Sequence, residues 1–291
     1  GITKPDNYSE EEISRVLKAI HADETSVPEL TPNIIMVQLE SFFDVNYLEG
    51  LSFSENPVPV FARLKESRPH GFLTVPSIGA GTANTEFEIL TGMNLGYFGA
   101  GEYPYKSVLQ KETCESICYD LRELGYTNHA IHNHEGTFYQ RHVVFSNLGF
   151  DTYTSLEYMN NVEYTPIGWA KDAVLTGEVM KALTSTAGQD FIYTISVQAH
   201  GRFPQEVVDP GQKITVAGIE GEKKRVAFEY FVNQLYETDA FIDALTAELS
   251  TFEEPVVLVL FGDHLPSFGI ENEDLSNGNR FQTEYVVWSN F

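Results

Sequence analysis

The chain reads as an α/β protein built on a mostly parallel central sheet with helices on both faces. Three observations predict this. Short apolar runs rich in β-branched and aromatic residues recur along the sequence, helical patterns alternate with them, and 291 residues at 42% apolar content suffice to bury a full core.

Residues 1–30 are expected to form a lead-in: SEEEISRVLKAIHA, Ser9 to Ala22, opens on a Ser cap and an acidic first turn and suits an amphipathic helix followed by a linker. Residues 31–291 are expected to form the main domain. Strands are predicted over Asn33 to Glu40, His70 to Ser77, Thr127 to His132, Asp190 to Gln198, Pro255 to Asp263 and Glu284 to Asn290, since nearly unbroken apolar runs of this length suit strands buried on both faces. Helices are predicted over Val58 to Ser67, Thr82 to Thr91, Ser107 to Leu124, Thr137 to Leu148, Trp169 to Leu183 and Lys224 to Leu249. The glycines and charges between Val207 and Lys224 predict a flexible loop near the site. In a parallel sheet, active sites collect at the carboxyl ends of the strands.

With 42 acidic against 18 basic residues and a net charge of -24, the chain has no basis for a nucleic-acid partner, which needs a basic face to neutralise phosphates. The same balance disfavours electrostatic docking of the bulk surface on an anionic bilayer. The longest apolar run, Pro255 to Gly262, falls well short of a membrane span, and no charged stretch followed by an apolar one reads as a secretion signal within these residues. Opening without Met and stopping after VVWSNF, the sequence reads as a soluble portion of something longer, with membrane anchors expected outside it. Cys114 and Cys118 fall on one face of a predicted helix, where a disulfide is geometrically awkward; buried free thiols are expected.

The chemistry concentrates at three strand ends. Glu40 closes one apolar run and Asp263 with His264 closes another, and a carboxylate in such a position is costly unless it is paired or bound to a cation. Glu40 alone could equally cap the next segment or pair with a Lys, and Asp263 alone could cap a turn; adjacent oxygen and imidazole donors suit Mn²⁺ or Zn²⁺. Thr82 follows Gly79, Ala80 and Gly81 at a helix start. It reads either as an N-cap or as a nucleophile at a phosphate-binding helix terminus, where a divalent metal would activate its hydroxyl. Thr85 is the competing hydroxyl. HNHEGTFYQR carries His132, His134, Tyr139 and Arg141; Arg141 suits bidentate phosphate contact or, on the bland reading, a surface salt bridge. SVQAHGR carries His200, able to donate to a phosphate or protonate a leaving alkoxide, and Arg202.

Five motifs occur in order: QLES, G-T-x-x-T-E-F, F-Y-Q-R-x-x-x-F-x-x-x-G-F-D, S-V-Q-x-H and F-G-D-H-L-P. From about Asn33 onward the chain resembles the extracellular catalytic domain of the lipoteichoic acid synthase and phosphoglycerol transferase family, in the alkaline phosphatase and sulfatase superfamily. The resemblance implies one divalent metal, Mn²⁺ first, with Mg²⁺ or Zn²⁺ as alternatives, held by Glu40, Thr82, Asp263 and His264, with Thr82 as nucleophile. It also implies that His132, Tyr139, Arg141 and His200 surround a glycerol phosphate; the best-known members have Trp where this chain has Tyr139. It further implies phosphatidylglycerol as donor, a glycan, glycolipid or polyglycerolphosphate acceptor, and action outside the cell membrane.

Rival readings are carried alongside. A sulfatase activity needs a C/S-x-P-x-R context, which does not occur. A two-metal phosphatase needs further ligands, and Asp239 and Asp243 read as polar positions of a packing helix. A phosphoethanolamine transferase or related phosphodiesterase is the nearest alternative, and a silent teichoic-acid-binding domain is the non-enzymatic one.

Overall fold

The apolar runs become the strands of one seven-stranded sheet, and turn chemistry decides where each stops. The computed structural model describes residues 31–92, 116–136 and 140–291. Its strands are β1 (Asn33–Leu39), β2 (Ser52–Phe53), β3 (His70–Thr74), β4 (Thr127–His132), β5 (Thr152–Thr154), β6 (Asp190–Ile195), β7 (Val216–Ala217), β8 (Val256–Gly262) and β9 (Gln282–Ser289). The large sheet runs β3-β9-β8-β1-β6-β4-β5. β8, β1, β6, β4 and β5 pair in parallel, and β9 lies antiparallel to both β8 and β3.

Among the described residues, six α-helices cover it: α1 (Pro59–Ser67), α2 (Thr82–Thr91), α3 (Ile117–Glu123), α4 (Arg141–Asn147), α5 (Val174–Leu183) and α6 (Glu222–Ser250). The two-residue period of a strand divides the core. Ile35, Val37 and Leu39 of β1 join Phe61 of α1, Val179 of α5 and Phe231 of α6 on one face. Ile34 and Met36 join Phe87 of α2, Leu121 of α3 and Phe145 of α4 on the other. Burying each such side chain stabilises the fold by roughly 1.5–3 kcal/mol, so β1 is anchored from both sides.

Most predicted elements are present, with informative differences. β4 and α2 have the predicted bounds. β3 is shorter than expected and is an edge strand with His70 exposed, because its outer side has no partner in the sheet. β5 was not foreseen; three residues carry too little periodicity to register. The segment expected as a flexible loop is tied down instead. β7 pairs with β2, Asn233 Oδ1 accepts the N–H groups of Lys213 and Ile214 at 3.1 and 2.9 Å, and α6 already begins at Glu222. Polar side chains of a distant helix satisfy this backbone, which no local pattern reveals. Cys118 is a buried free thiol, its pKa pushed up to about 12 by burial. Cys114, Tyr139, the lead-in helix and the first parts of two predicted helices lie outside the described residues, among which no helix is long and apolar enough to cross a membrane.

Asp239 and Asp243 are structural, as their spacing suggested. Asp243 pairs with Arg63 at 3.0 Å, and Asp239 accepts the N–H groups of Val60 and Phe61 at 2.8 and 2.9 Å, stitching α6 to the first turn of α1. Burial pushes the Asp239 carboxyl up to about 6 against these bonds. Asp239→Ala is therefore expected to cost about 2 kcal/mol by urea unfolding at neutral pH. Because the folded pKa is raised, the group's contribution is greatest below the ordinary carboxylate range and is lost as pH rises through about 6. The deficit of the variant should be larger at pH 5 than at pH 7 by roughly 1 kcal/mol, and a deficit that grew with pH would contradict this account.

Candidate active site

Parallel strands open their carboxyl ends on one edge, and here four of them deliver polar side chains to the same place. Glu40 follows β1, Asp263 and His264 follow β8, Ser196 to His200 follow β6, and His132 ends β4. The turn leaving β1 is fixed from both neighbours: Glu40 N–H donates to Ser196 Oγ at 2.9 Å, and Ser41 N–H donates to Asp263 Oδ1 at 2.8 Å. Gly262 is required at this crossing, because a Cβ there would collide with the Phe42 carbonyl. Asp172, buried on the far side, accepts the N–H groups of Val197 and Gln198 at 3.2 Å each and so pins the turn that carries His200.

Glu40, Asp263 and His264 are buried and bring ligand atoms within 4.8 Å of one another. His264 Nδ1 lies 2.8 Å from the Leu265 carbonyl, so it carries the proton and leaves the lone pair on Nε2. That Nε2 sits 3.4 Å from Asp263 Oδ2, and both atoms are buried with no hydrogen-bond partner among the described residues. Two electron-rich orphans facing each other repel unless a cation or a proton lies between them. Two carboxylates and one imidazole form a donor set that fits a single divalent ion such as Mn²⁺ or Zn²⁺.

The electrostatics agree with that geometry. Burial and the neighbouring Glu40 carboxylate push Asp263 well above the usual range. Burial also acts to raise Glu40, but the hydrogen bond and charge of His200 outweigh it, and Glu40 stays ionised. Without a cation the buried pair therefore keeps one proton.

Thr82 is the first residue of α2, and Gly81 is its N-cap, at φ 91°, where a Cβ would also crowd Ser77 Oγ at 2.7 Å. The Thr82 hydroxyl is thus not spent on capping. It donates to Glu40 Oε2 at 2.9 Å, while Gln38 Nε2 holds the Thr82 carbonyl at 3.1 Å. Thr85, the rival hydroxyl, is buried and donates to the Asp263 carbonyl at 2.9 Å.

A pocket of about 340 Å³ opens beside this cluster, lined by Thr82, His132, Arg141, Trp169 and His200 among others. Arg141 is not the surface residue of the bland reading: it is buried and pairs with Glu86 at 2.7 Å. His132 lies with Nδ1 2.8 Å from the Ile195 carbonyl, and burial and Arg141 hold its pKa well below the usual range. It is a neutral ring whose Nε2 accepts rather than donates. His200 Nδ1 donates to Glu40 Oε1 at 2.6 Å; burial acts to lower its pKa, but that bond and the Glu40 charge raise it. Seven of the eight nominated side chains thus gather at one edge of the sheet, and the eighth, Tyr139, lies outside the described residues. The sequence reading missed Trp169, whose ring stands edge-on to His200 at 4.9 Å and to His134 at 5.4 Å. It also missed the support from Gln38 and Ser196; a Gln inside an apolar strand was the available signal for the first.

Asp263→Ala is expected to abolish binding of a single divalent ion, read by elemental analysis and by loss of the thermal shift that added Mn²⁺ gives the wild type. Because the raised Asp263 proton must leave first, wild-type affinity should weaken as pH falls, approaching tenfold per unit below that pKa. Unchanged affinity across pH, or equal metal content in the variant, would refute this ligand set.

Comparison with known proteins fits this arrangement. The sulfatase family model matches residues 32–291. A putative cyclic beta-1,2-glucan modification protein of Rhizobium meliloti (strain 1021) is 28% identical over 100% of this chain, which spans 46% of that relative's length. Among solved structures, the phosphoglycerol transferase GacH of Streptococcus pyogenes, in complex with sn-glycerol-1-phosphate, superimposes with TM-score 0.77 at 24% identity, over 99% of this chain and 77% of that one. The lipoteichoic acid synthase LtaP of Listeria monocytogenes does so with TM-score 0.65 at 18% identity, over 88% and 65%. With 260 residues under one family model and this sheet beneath them, the chain belongs to the sulfatase family.

Proposed function

We propose that the protein is a metal-dependent phosphoglycerol transferase that moves glycerol phosphate from phosphatidylglycerol to a glycan or polyglycerolphosphate acceptor, acting on the outer side of the cell membrane. The observation that carries this reading is the Thr82 hydroxyl, free of capping, bonded to Glu40 beside two orphaned ligand atoms and at the mouth of a pocket holding Arg141. The phosphoglycerol transferase similarity of the solved relatives supports the substrate class.

A divalent ion held by Glu40, Asp263, His264 and the Thr82 oxygen would supply acidification of the hydroxyl and neutralisation of phosphate charge. Thr82 Oγ attacks phosphorus in line as the bond to the diacylglycerol oxygen breaks. The hydroxyl proton already points at Glu40, and His200 delivers one proton to the departing oxygen, a role its raised pKa favours. The product on the protein is a glycerophosphoryl ester of Thr82. In the second half, an acceptor hydroxyl gives its proton to His200 and displaces Thr82 from phosphorus, and the departing Thr82 oxygen takes back the proton that it gave to Glu40 in the first half. Arg141 balances phosphate charge throughout, while neutral His132 accepts from a glycerol hydroxyl. The pocket offers Trp169 as a wall for the glycerol carbons. Sulfate-ester hydrolysis through formylglycine has no residue to support it, since the position facing the cluster is Thr82.

Incubation with a short-chain phosphatidylglycerol in detergent and Mn²⁺ should give a glycerophosphoryl adduct by intact-mass spectrometry, mapped to Thr82 and absent in Thr82→Ala. An adduct on Thr85, or faster cleavage of phosphatidylethanolamine, would redirect the assignment. His200→Gln should slow diacylglycerol release roughly 10²- to 10⁴-fold. In the wild type that release should fall as pH rises through the His200 pKa, because the proton donor is then lost; the variant should show no such limb.

A further inference from the structure

A second and larger cavity, about 780 Å³, adjoins the site. The segments that build the catalytic cluster also build its walls. Arg202 and Phe203 follow His200 directly, and Ser267 follows the Asp263–His264 pair. The Gly79 N–H donates to the Leu265 carbonyl at 2.7 Å, tying the loop before Thr82 to the same wall. Lys223 and Lys224, from the first turn of α6, complete the rim. Its floor is aromatic, with Phe203 and Phe268 stacked at 4.8 Å and 16°.

The charge around this cavity is out of keeping with the rest of the molecule. Of the thirteen Lys and Arg residues among those described, nine pair with a carboxylate. Arg68 donates to the Ser289 carbonyl at 3.0 Å. The three that remain, Arg202, Lys223 and Lys224, have no ion-pair or hydrogen-bond partner among the described residues, and all three line this cavity. The one acid in the lining, Glu222, is engaged by Arg225 at 2.7 Å. In a chain with 42 acids and 18 bases, three unneutralised cations around one concavity constitute a local field for an anion.

We propose that this cavity binds the acceptor, and that the acceptor is anionic: a saccharide or polyol chain already carrying phosphate groups near the hydroxyl that is to be modified. The proposal rests on the transferase reading above. Phosphate groups meet Arg202, Lys223 and Lys224, sugar or polyol carbons lie on Phe203 and Phe268, and the attacking hydroxyl reaches the Thr82 ester past His200. The protein then adds glycerol phosphate preferentially to chains that already bear negative charge, so each addition improves the next acceptor.

The test compares wild type with Lys223→Ala/Lys224→Ala and with Arg202→Ala, all exposed positions. Transfer is measured to a synthetic glycerol phosphate oligomer, a phosphorylated oligosaccharide and the dephosphorylated form of each. For the double variant, KM toward the phosphorylated acceptors should rise about tenfold or more and depend less on salt, while the neutral acceptors and water shift by less than about twofold. The first two acceptors separate a polyol phosphate from a sugar phosphate. Equal effects on neutral and charged acceptors, or a wild type that prefers the neutral ones, would overturn the proposal. So would loss of binding to anionic phospholipid vesicles with acceptor kinetics unmoved, which would assign the cations to a bilayer. Calorimetric binding of the same oligomers to the Thr82→Ala protein needs no turnover: binding that depends on Lys223 and Lys224 without any donor cleavage in the wild type would refute the donor assignment alone, and turnover without such binding would refute this one.

Discussion

Two carboxylates at the ends of adjacent strands govern this structure. β1 and β8 pair in parallel with Leu39 opposite Gly262, so the next residue on each strand, Glu40 and Asp263, leaves the sheet beside the other. Both are buried, and neither can be ionised there without compensation. The hydrogen bonds around them answer part of that demand: His200 and Thr82 donate to Glu40, and Ser41 N–H donates to Asp263, while the lone pair of His264 facing Asp263 leaves the remainder to a cation or a proton. The arrangement fits a site whose last partner is a cation, seated at the ends of a buried apolar sheet.

This dependence explains why the hydroxyl of Thr82 is available. A threonine at a helix start ordinarily satisfies backbone N–H groups, but here a left-handed glycine takes the N-cap position and displaces that duty. The hydroxyl is instead oriented by Glu40, a member of the candidate metal cluster. His200 completes the line, so imidazole, carboxylate and hydroxyl share one continuous hydrogen-bonded path from the turn after β6 to the start of α2.

Much of this was legible in the sequence, for physical reasons that can be named. A strand buried on both faces writes itself as an unbroken apolar run, so the polar residue that ends it stands out; Glu40, Asp263 and His264 were visible on that ground. Gly81 and Thr82 announced a helix start. Features that depend on distant partners were not legible. Nothing local marks Trp169 as a pocket wall, since it is placed by the packing of the segment before α5 against His134 and His200. The anchoring of Val207 to Lys224 by α6 side chains and the single-sided pairing of β5 are likewise tertiary facts. The unpaired state of Arg202, Lys223 and Lys224 is of the same kind, because a sequence lists charges without their neighbours.

The central place of β1 has a consequence for how the site comes into being. Its two sheet neighbours, β6 and β8, lie about 150 and 220 positions away along the chain, as the bonds from Glu40 to Ser196 and from Ser41 to Asp263 record with separations of 156 and 222. Loops of that length close slowly, and parallel pairing gains little until both ends have met. No fragment of the chain that lacks β1, β6 or β8 brings these residues together. Assembly of the candidate metal cluster therefore belongs to the final stage of folding, and a nascent chain still emerging from synthesis would carry the Thr82 hydroxyl long before its partners are in place.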